Sequence, residues 1–421
     1  MKNPNPKKNN AQANPNAIFQ PKKVQPNARG NQDKNYFNMT HTPQGNRSKS
    51  DVQVPKQNSS MNQIIPQQEK NILDNYRVNT EIISVQGNKP PTRFGNSFTQ
   101  ISPAKAIIFG GAVGDVKNFN FSNDTFIFNF ITDTWKKLIF DPGCPLPQER
   151  AAHAAAISKH KQLIIHGGST KNSNLAEDEL WLLDLNQLIP SKNIKGADNN
   201  QYYKWALLRT EGKSPGKRYG HTLAYMDPYF VLLGGNLNSQ LSNDLWIIDI
   251  NTIKPTWQNI PFEPGCAPSP RLYHTCGFTT QGKLKGMMIL FGGRDSTDNP
   301  LDDIWGLSRH SNGNWEWTMT HVKSGEKIKS RYNHSVSFIG PLMIISGGRG
   351  RHSHESLPIN VFDTETRENW EFLSLPMYRQ SSFVMEKYFS KRSNSFLIFI
   401  SPFPKDKTKL IFFKSFLKLF I

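Results

Sequence analysis

The feature that most constrains this chain is a unit that recurs five times between Arg93 and Trp370. Each unit opens with an arginine, usually followed three residues later by a histidine, and a Gly pair comes 16 to 21 residues after the arginine. A polar loop, a short apolar segment and a late tryptophan complete it. Successive Gly pairs are 57, 67, 58 and 55 residues apart. Such recurrence indicates a repeat architecture rather than one catalytic centre.

The repeated positions can be grouped by residue type. The arginines and histidines are Arg93, Arg150, His153, Arg218, His221, Arg271, His274, Arg331 and His334. The glycines are Gly110, Gly111, Gly167, Gly168, Gly234, Gly235, Gly292, Gly293, Gly347 and Gly348, and the late tryptophans are Trp135, Trp205, Trp257, Trp317 and Trp370. We predict that the arginines and histidines hydrogen-bond strand ends or neighbouring units, and that the tryptophans fill the space between adjacent sheets. The glycines suit positive φ or close backbone approach.

The segments AIIFGG, QLIIHGG, FVLLGG, MMILFGG and LMIISGG are short, apolar and terminated by glycine. They predict buried β-strands rather than helices. A phosphate-binding loop would place its glycines between a strand and a helix, whereas a polar loop and another strand follow here. Each unit is therefore predicted to form four antiparallel strands.

This pattern resembles the Kelch repeat and implies an all-β propeller across residues 76 to about 376. Residues 76–86 resemble a fourth strand that precedes the first unit, so the expected ring is six-bladed and closes by lending this strand to the last blade. After Trp370 the repeat decays, because RQSSF at Arg379 lacks the histidine and SNSFLIFISP stands where Gly-Gly is due. We expect five complete blades and a sixth that is degenerate or truncated.

The fourth and fifth units carry a narrower resemblance. The segments PSPRLYHT, LFGGRDSTDNPLDDIWGLSRHSNGNWEWT, SRYNHS and ISGGRGR are similar to the N-terminal Kelch domain of Kelch-repeat Ser/Thr protein phosphatases. The metal-ligand motifs of that family, GDxHG, GDxVDRG and GNHE, are absent, and Gly114-Asp115 belongs to GDVKN in a repeat loop. The resemblance implies the regulatory or substrate-binding part of such a phosphatase, so this chain is expected not to be an enzyme.

Charge is concentrated at the two ends of the chain. The net charge is +18, of which residues 1–66 carry +8 and residues 378–421 carry +7. The remaining +3 does not predict a basic groove, and we expect no specific nucleic-acid role. We expect residues 1–66, rich in Asn, Gln, Lys and Pro, to be disordered, residues 67–390 to form the propeller, and residues 391–421 to be a basic-apolar tail. That tail is interpreted as out-of-frame or truncated sequence, the alternative being an amphipathic helix from Lys409 to Ile421.

Three cysteines, Cys144, Cys266 and Cys276, lack the spacing of a metal site and are expected to be free thiols in a reducing setting. The first residues, MKNPNPKKNN, contain no apolar secretory segment, and no apolar run is long enough for a membrane span. We therefore expect a cytoplasmic or nuclear protein. No cofactor or metal is expected, since His352 and His354 are a weak pair in a polar loop.

Loops after the Gly pairs are expected to share one face with the linkers between units. The candidate binding residues on that face are Lys171, Asn236, Arg294, Asp295, Arg349 and Arg351. Arginines there suit an acidic or phosphorylated protein segment, although solvated loop charge is the alternative. The leading hypothesis is a protein-interaction module. Alternatives are a cytoskeletal scaffold, or a propeller enzyme of the oxidase or isomerase kind, which needs clustered His, Tyr or Cys residues outside the repeat pattern. An insertion at residues 186–204 is either a flexible loop or a docking arm.

Overall fold

A computed structural model describes residues 85–115, 118–188, 202–279, 281–352 and 357–372. For the strands Tyr76–Ile83, Val384–Ser390, Ser393–Ser401 and Ile411–Leu419 it describes the backbone alone. The N-terminal tail, and residues 189–201 of the insertion, lie outside the described residues. The predictions made for those segments stay predictions.

Among the described residues, six sheets each contain four strands paired antiparallel with their neighbours. Sheet 1 contains Ser97–Ser102, Lys105–Phe109, Thr125–Asn129 and Thr134–Lys137; sheet 2 contains Ala154–Ile157, Gln162–His166, Leu180–Asp184 and Trp205–Leu208; sheet 3 contains Thr222–Met226, Tyr229–Asn236, Leu241–Ile248 and Gln258–Ile260. Sheet 4 contains Thr275–Phe278, Met288–Phe291, Ile304–Arg309 and Trp315–Thr320; sheet 5 contains Tyr332–Ile339, Leu342–Arg349, Ile359–Asp363 and Glu368–Phe372; sheet 6 contains Val384–Ser390, Ser393–Ser401, Ile411–Leu419 and Tyr76–Ile83.

Short elements complete the sheets. Gln86–Gly87 and Ser324–Gly325 add parallel to the outer strands of sheets 1 and 5. Arg93–Phe94, Ala112–Asp115 and Asn118–Phe121 form a small three-stranded sheet beside sheet 1, and Lys171–Ser173 is a 3₁₀ turn. The all-β class and the four strands predicted for each unit are confirmed.

The core lies between neighbouring sheets. The second strands are apolar at their centres, so Ile164 and Ile165, for example, are fully buried. Trp205, also fully buried, packs with Phe109 of sheet 1 and Leu163 of sheet 2. Trp257 and Trp317 take the corresponding places further along, and Trp135 is buried beside sheet 1. Trp370 departs from the set because it is half-buried.

Sheet 6 differs from the sequence expectation. Tyr76–Ile83 pairs with Ile411–Leu419, as the strand-lending prediction requires, and SFLIFI lies in the second strand, Ser393–Ser401. A degenerate or truncated sixth unit was expected. The backbone has four paired strands there, as the degenerate alternative requires, but two of them come from the segment assigned to a tail. Residues 411–419 form a strand and not the alternative amphipathic helix. The C-terminal strands were hard to predict because they lack the Arg, His and Gly-Gly residues of the repeat. Their pairing with a distant N-terminal strand also leaves no local pattern in the sequence.

The first strands of successive sheets lie side by side, from sheet 1 to sheet 6, and the first strand of sheet 6 also contacts that of sheet 1. The repeated arginines tie each unit together. Their Nη1 atoms donate to the carbonyl of the first glycine in the same unit over 2.8–3.3 Å, in the pairs Arg93–Gly110, Arg150–Gly167, Arg218–Gly234, Arg271–Gly292 and Arg331–Gly347. All five arginine side chains are buried.

The Gly pairs join one unit to the next. The second glycine donates its N–H to the carbonyl of the next unit's arginine, as Gly168 does to Arg218 at 2.8 Å. A Cβ on Gly167, which has φ +62°, would lie 2.4 Å from the carbonyl oxygen of Arg218 and 2.7 Å from the ring of His221. Side chains are excluded here because the two units touch through bare backbone.

Candidate protein-binding face

In these antiparallel sheets the loop after the second strand and the linker to the next sheet lie at the same end. Contacts between them are visible: the amide Nδ2 of Asn123 donates to the carbonyl of Pro147 at 3.0 Å, and Asn243 does the same to Pro268 at 2.8 Å. We call this end the Gly-Gly face. It consists of the loops that follow the Gly pairs and the last few linker residues before each arginine, to which these prolines belong.

A ladder of backbone hydrogen bonds runs across the Gly-Gly face from sheet to sheet. Ala152 N–H donates to Gly95, Gly220 to Ala152, Tyr273 to Gly220 and Asn333 to Tyr273, over 2.7–3.0 Å. All five residues stand two positions after a repeated arginine and have φ between 53° and 66°. Ala152 and Tyr273 hold this left-handed conformation without the freedom of glycine, at a cost of about 1–2 kcal/mol each. The ladder brings the starts of all five units close together.

Arg294 lies at this convergence, between two tyrosine rings. Its guanidinium carbon is 5.6 Å from the ring centroid of Tyr273 and 5.7 Å from that of Tyr332. Backbone hydrogen bonds to Leu272 fix it in both directions, at 2.9 and 3.2 Å. Its side chain is only 15% exposed, so the cation is held in a defined place on the face.

A tight loop presses an acid against Arg294. Nη1 of Arg294 donates to Oδ1 of Asp298, whose side chain is 65% exposed. Asp295 closes the loop, because its Oδ1 accepts from the backbone N–H groups of Thr297 and Asn299 at 2.8 and 3.0 Å. The carboxylate of Asp295 therefore stabilises the conformation of this loop.

The other predicted residues fall into two groups. Asn236 is buried and donates through Nδ2 to the hydroxyl of Tyr219 at 3.3 Å, and the Tyr219 ring lies 6.0 Å from that of Tyr273. Arg349 is half-buried and paired in register with Tyr332, while exposed Arg351 donates to Oδ1 of Asn299 at 3.5 Å. Asn236, Arg294, Arg349 and Arg351 are thus brought together. Lys171 instead pairs with Glu149 at 3.2 Å, with no described contact to this cluster.

Sequence reasoning missed the three tyrosines. Tyr219 and Tyr332 directly follow a repeated arginine, and Tyr273 follows one by two positions. The sequence did carry a signal, because the third to fifth units have a tyrosine one or two positions after the arginine where the second unit has alanines. We define the tyrosine–arginine cluster as Tyr219, Asn236, Tyr273, Arg294 and Tyr332.

One buried network departs from the repeat. Nε2 of His153, His274 and His334 is hydrogen-bonded to a hydroxyl of the preceding sheet, on Ser97, Thr222 and Thr275, at 2.7–2.9 Å. For His221 the corresponding residue is Ala154, and Nδ1 of His166 takes its place at 3.1 Å.

Nε2 of His166 is bound in turn to Asp178 at 2.8 Å, and the hydroxyl of Ser214 donates to the same carboxylate. Burial lowers the pKa of His166, which is fully enclosed. The serine contacts the acid and not the histidine, so the chain of contacts is not that of a nucleophilic triad. His166 and His221 come from different units and meet only where sheets 2 and 3 pack together, so their positions in the sequence do not indicate this contact.

Comparison with known proteins agrees with this architecture. The profile of the KLHDC2/KLHL20/DRC7 Kelch-repeats domain matches residues 67–192 and 95–284, together more than half of the chain. The chain belongs to this Kelch-repeat family. The Kelch-repeat resemblance predicted from the sequence is confirmed.

Curated relatives carry the Kelch region within longer proteins. The chain is 30% identical over 245 residues to the serine/threonine-protein phosphatase BSL2 of Arabidopsis thaliana, covering 57% of this chain and 22% of that protein. It is 26% identical over 290 residues to an F-box/kelch-repeat protein of the same plant, covering 63% and 56%. It thus spans less than two thirds of either relative. The first match supports the narrower resemblance to Kelch-repeat phosphatases.

In the part of the chain that the structure describes, no helix has the length and apolar character needed to cross a membrane. The same residues contain no group of three His, Cys, Asp or Glu side chains placed to hold a metal ion. Cys144, Cys266 and Cys276 are free thiols.

Proposed function

We propose that this Kelch-repeat chain is a non-catalytic protein-binding module whose Gly-Gly face takes an acidic segment of a partner protein. The observation that carries the proposal is Arg294 between Tyr273 and Tyr332. A guanidinium held in place loses little side-chain freedom on binding, and its fork of donors matches a carboxylate or a phosphate. Arg349 and Arg351 extend the positive charge towards sheet 5.

The fold supports a rigid platform for this face. We infer that the six sheets close into a six-bladed ring, in which the N-terminal strand completes the last blade. Contacts of the first strand of sheet 6 with those of sheets 5 and 1 support this closure. A closed ring leaves no sheet face open between its first and last blades.

The match to BSL2 supports a further reading. We propose that the chain corresponds to the regulatory or substrate-binding part of a Kelch-repeat phosphatase, acting in the cytoplasm or nucleus. The phosphatase name belongs to a protein of which this chain spans 22%. The motifs that resemble that family lie in sheets 4 and 5, which also supply Arg294 and Tyr332.

Changing Arg294, Arg349 and Arg351 together to Ala should weaken binding of an acidic peptide by about 2–3 kcal/mol, since a hydrogen bond to a charged group contributes about 1.5–3 kcal/mol. Most of the loss should come from Arg294, because Arg351 is exposed and exposed ion pairs contribute little. A fluorescein-labelled peptide of alternating glutamate and glycine, followed by fluorescence anisotropy, measures the effect.

The matched control changes Lys159, Lys161 and Lys254 to Ala. These lysines lie in turns at the opposite end of sheets 2 and 3. The control therefore loses the same number of positive charges, away from the Gly-Gly face. The control should bind the peptide nearly as tightly as the unchanged chain. Equal weakening by both triple variants would contradict the proposal and show that the arginines are solvated loop residues with no specific role in binding.

A further inference from the structure

We infer that Arg294 is a carboxylate subsite that Asp298 fills in the free protein, and that an acidic side chain of the partner binds by taking the place of Asp298. This inference rests on the proposed function. The loop between Arg294 and Pro300 then limits affinity, because every acidic ligand must first compete with a carboxylate of the chain itself.

Arg294 is incompletely satisfied by its own loop. Asp298 contacts Nη1, whereas Nε is buried and has no acceptor among the described residues. A guanidinium has five N–H donors, and a carboxylate that reaches it with both oxygens uses two of them. Nε is out of a partner's reach, but a partner carboxylate that meets Nη1 and Nη2 with both oxygens makes one more hydrogen bond to Arg294 than Asp298 makes.

Asp298 is also the exchangeable member of the pair. Its side chain is 65% exposed and that of Arg294 15%, so the acid can turn into solvent while the cation stays between its tyrosines. An exposed ion pair of this kind contributes at most about 1 kcal/mol. Displacing it is therefore inexpensive for a ligand that brings better geometry.

The loop holds Asp298 in position independently of its charge. Its N–H donates to the carbonyl of Asp295 at 3.2 Å, and the N–H of Asp295 donates to Asn299 at 3.1 Å. Asp298 has φ +63°, a conformation that Asn adopts as readily as Asp. Asp298→Asn therefore removes the competing charge while the turn is kept.

The test measures the affinity of the glutamate–glycine peptide for four chains: the unchanged protein, D298N, R294Q and the double variant. D298N should bind about fivefold more tightly, which corresponds to the upper range of an exposed ion pair. R294Q should bind more weakly, and adding D298N to R294Q should give no gain. Thermal unfolding of each variant checks that the fold is kept.

Glu211→Gln is the charge-matched control, because Glu211 pairs with Lys254 away from the tyrosine–arginine cluster. It should leave the affinity unchanged. Equal tightening by E211Q and D298N would overturn the inference in favour of net charge. An unchanged or weaker D298N beside a weakened R294Q would overturn the inference but leave the proposed function standing. Loss of peptide binding in every chain, including the unchanged one, would overturn both.

Discussion

Lowering the pH from 7.5 to 5.5 should destabilise this protein by about 5 kcal/mol, since each of the four histidines of the repeat pattern contributes about 1.4 kcal/mol per pH unit below its ordinary pKa. Burial, reinforced by nearby arginines, lowers the pKa of His153 and of His274 to about 3. Burial also lowers the pKa of His221 and His334 well below 6.5.

The protein loses stability at low pH because the unfolded state binds more protons than the folded state. In the folded chain the four rings stay neutral, whereas in the unfolded chain they titrate near 6.5. Stability is therefore complete above pH 6.5 and falls as the pH decreases from 6.5 towards 3. The lowered pKa of Asp244 and of Asp303 places their titration below the measured window.

Urea denaturation at the two pH values provides the measurement. His274→Gln should reduce the loss of stability between pH 7.5 and 5.5 by about 1.4 kcal/mol. A free energy of unfolding that is flat from pH 7.5 to 5.5 would mean that the histidines are not held neutral between the sheets.

Arg271→Met should lower the free energy of unfolding by about 3–5 kcal/mol, the usual consequence of leaving one buried charge without its partner. The guanidinium is 1% exposed, makes two contacts of 2.6 Å to Asp303, and donates to Gly292 at 3.0 Å. The substitution leaves the Asp303 carboxylate and the glycine carbonyl without these donors.

A second variant separates charge from shape. R271M combined with Asp303→Asn should recover part of the loss, because the uncompensated charge is gone while an oxygen remains to accept from Nε1 of Trp305. Lys254→Met provides the contrast: Lys254 and Glu211 form an exposed pair, and its loss should cost less than about 1 kcal/mol. Similar losses for Arg271→Met and Lys254→Met would show that the buried arginine does not join the strands.

The repeat pattern predicted what each unit does within itself. An arginine at a fixed distance from a Gly pair specifies the bond from Arg218 to Gly234, and an apolar segment that stops at glycine specifies a second strand. Contacts between units were harder to predict from the sequence. The sequence did not indicate that the first glycine lies under the next unit's histidine, as Gly234 lies under His274, because the two residues come from different repeats.

The tyrosine–arginine cluster was missed for a related reason, because its members come from different repeats. Arg294 was singled out for its place after a Gly pair, but Tyr273 and Tyr332 come from the starts of two different units. Only the ladder of backbone bonds brings them to one place. Sheet 6 was only partly predictable. Its N-terminal strand was identified because residues 80–96 match a segment of the second unit, whereas its C-terminal strands lack the Arg, His and Gly-Gly positions of the repeat.

The most direct test of the account is a hydrogen–deuterium exchange footprint of the whole chain with and without the glutamate–glycine peptide. We expect slower exchange in the loop of residues 295–300 and around Tyr332 and Arg349 when the peptide is bound. The turns at residues 158–161 and 249–255, at the opposite end of the sheets, should exchange at the same rate in both samples. Slower exchange confined to those turns, or unchanged exchange on the Gly-Gly face at saturating peptide, would contradict the assignment of this face as the binding surface.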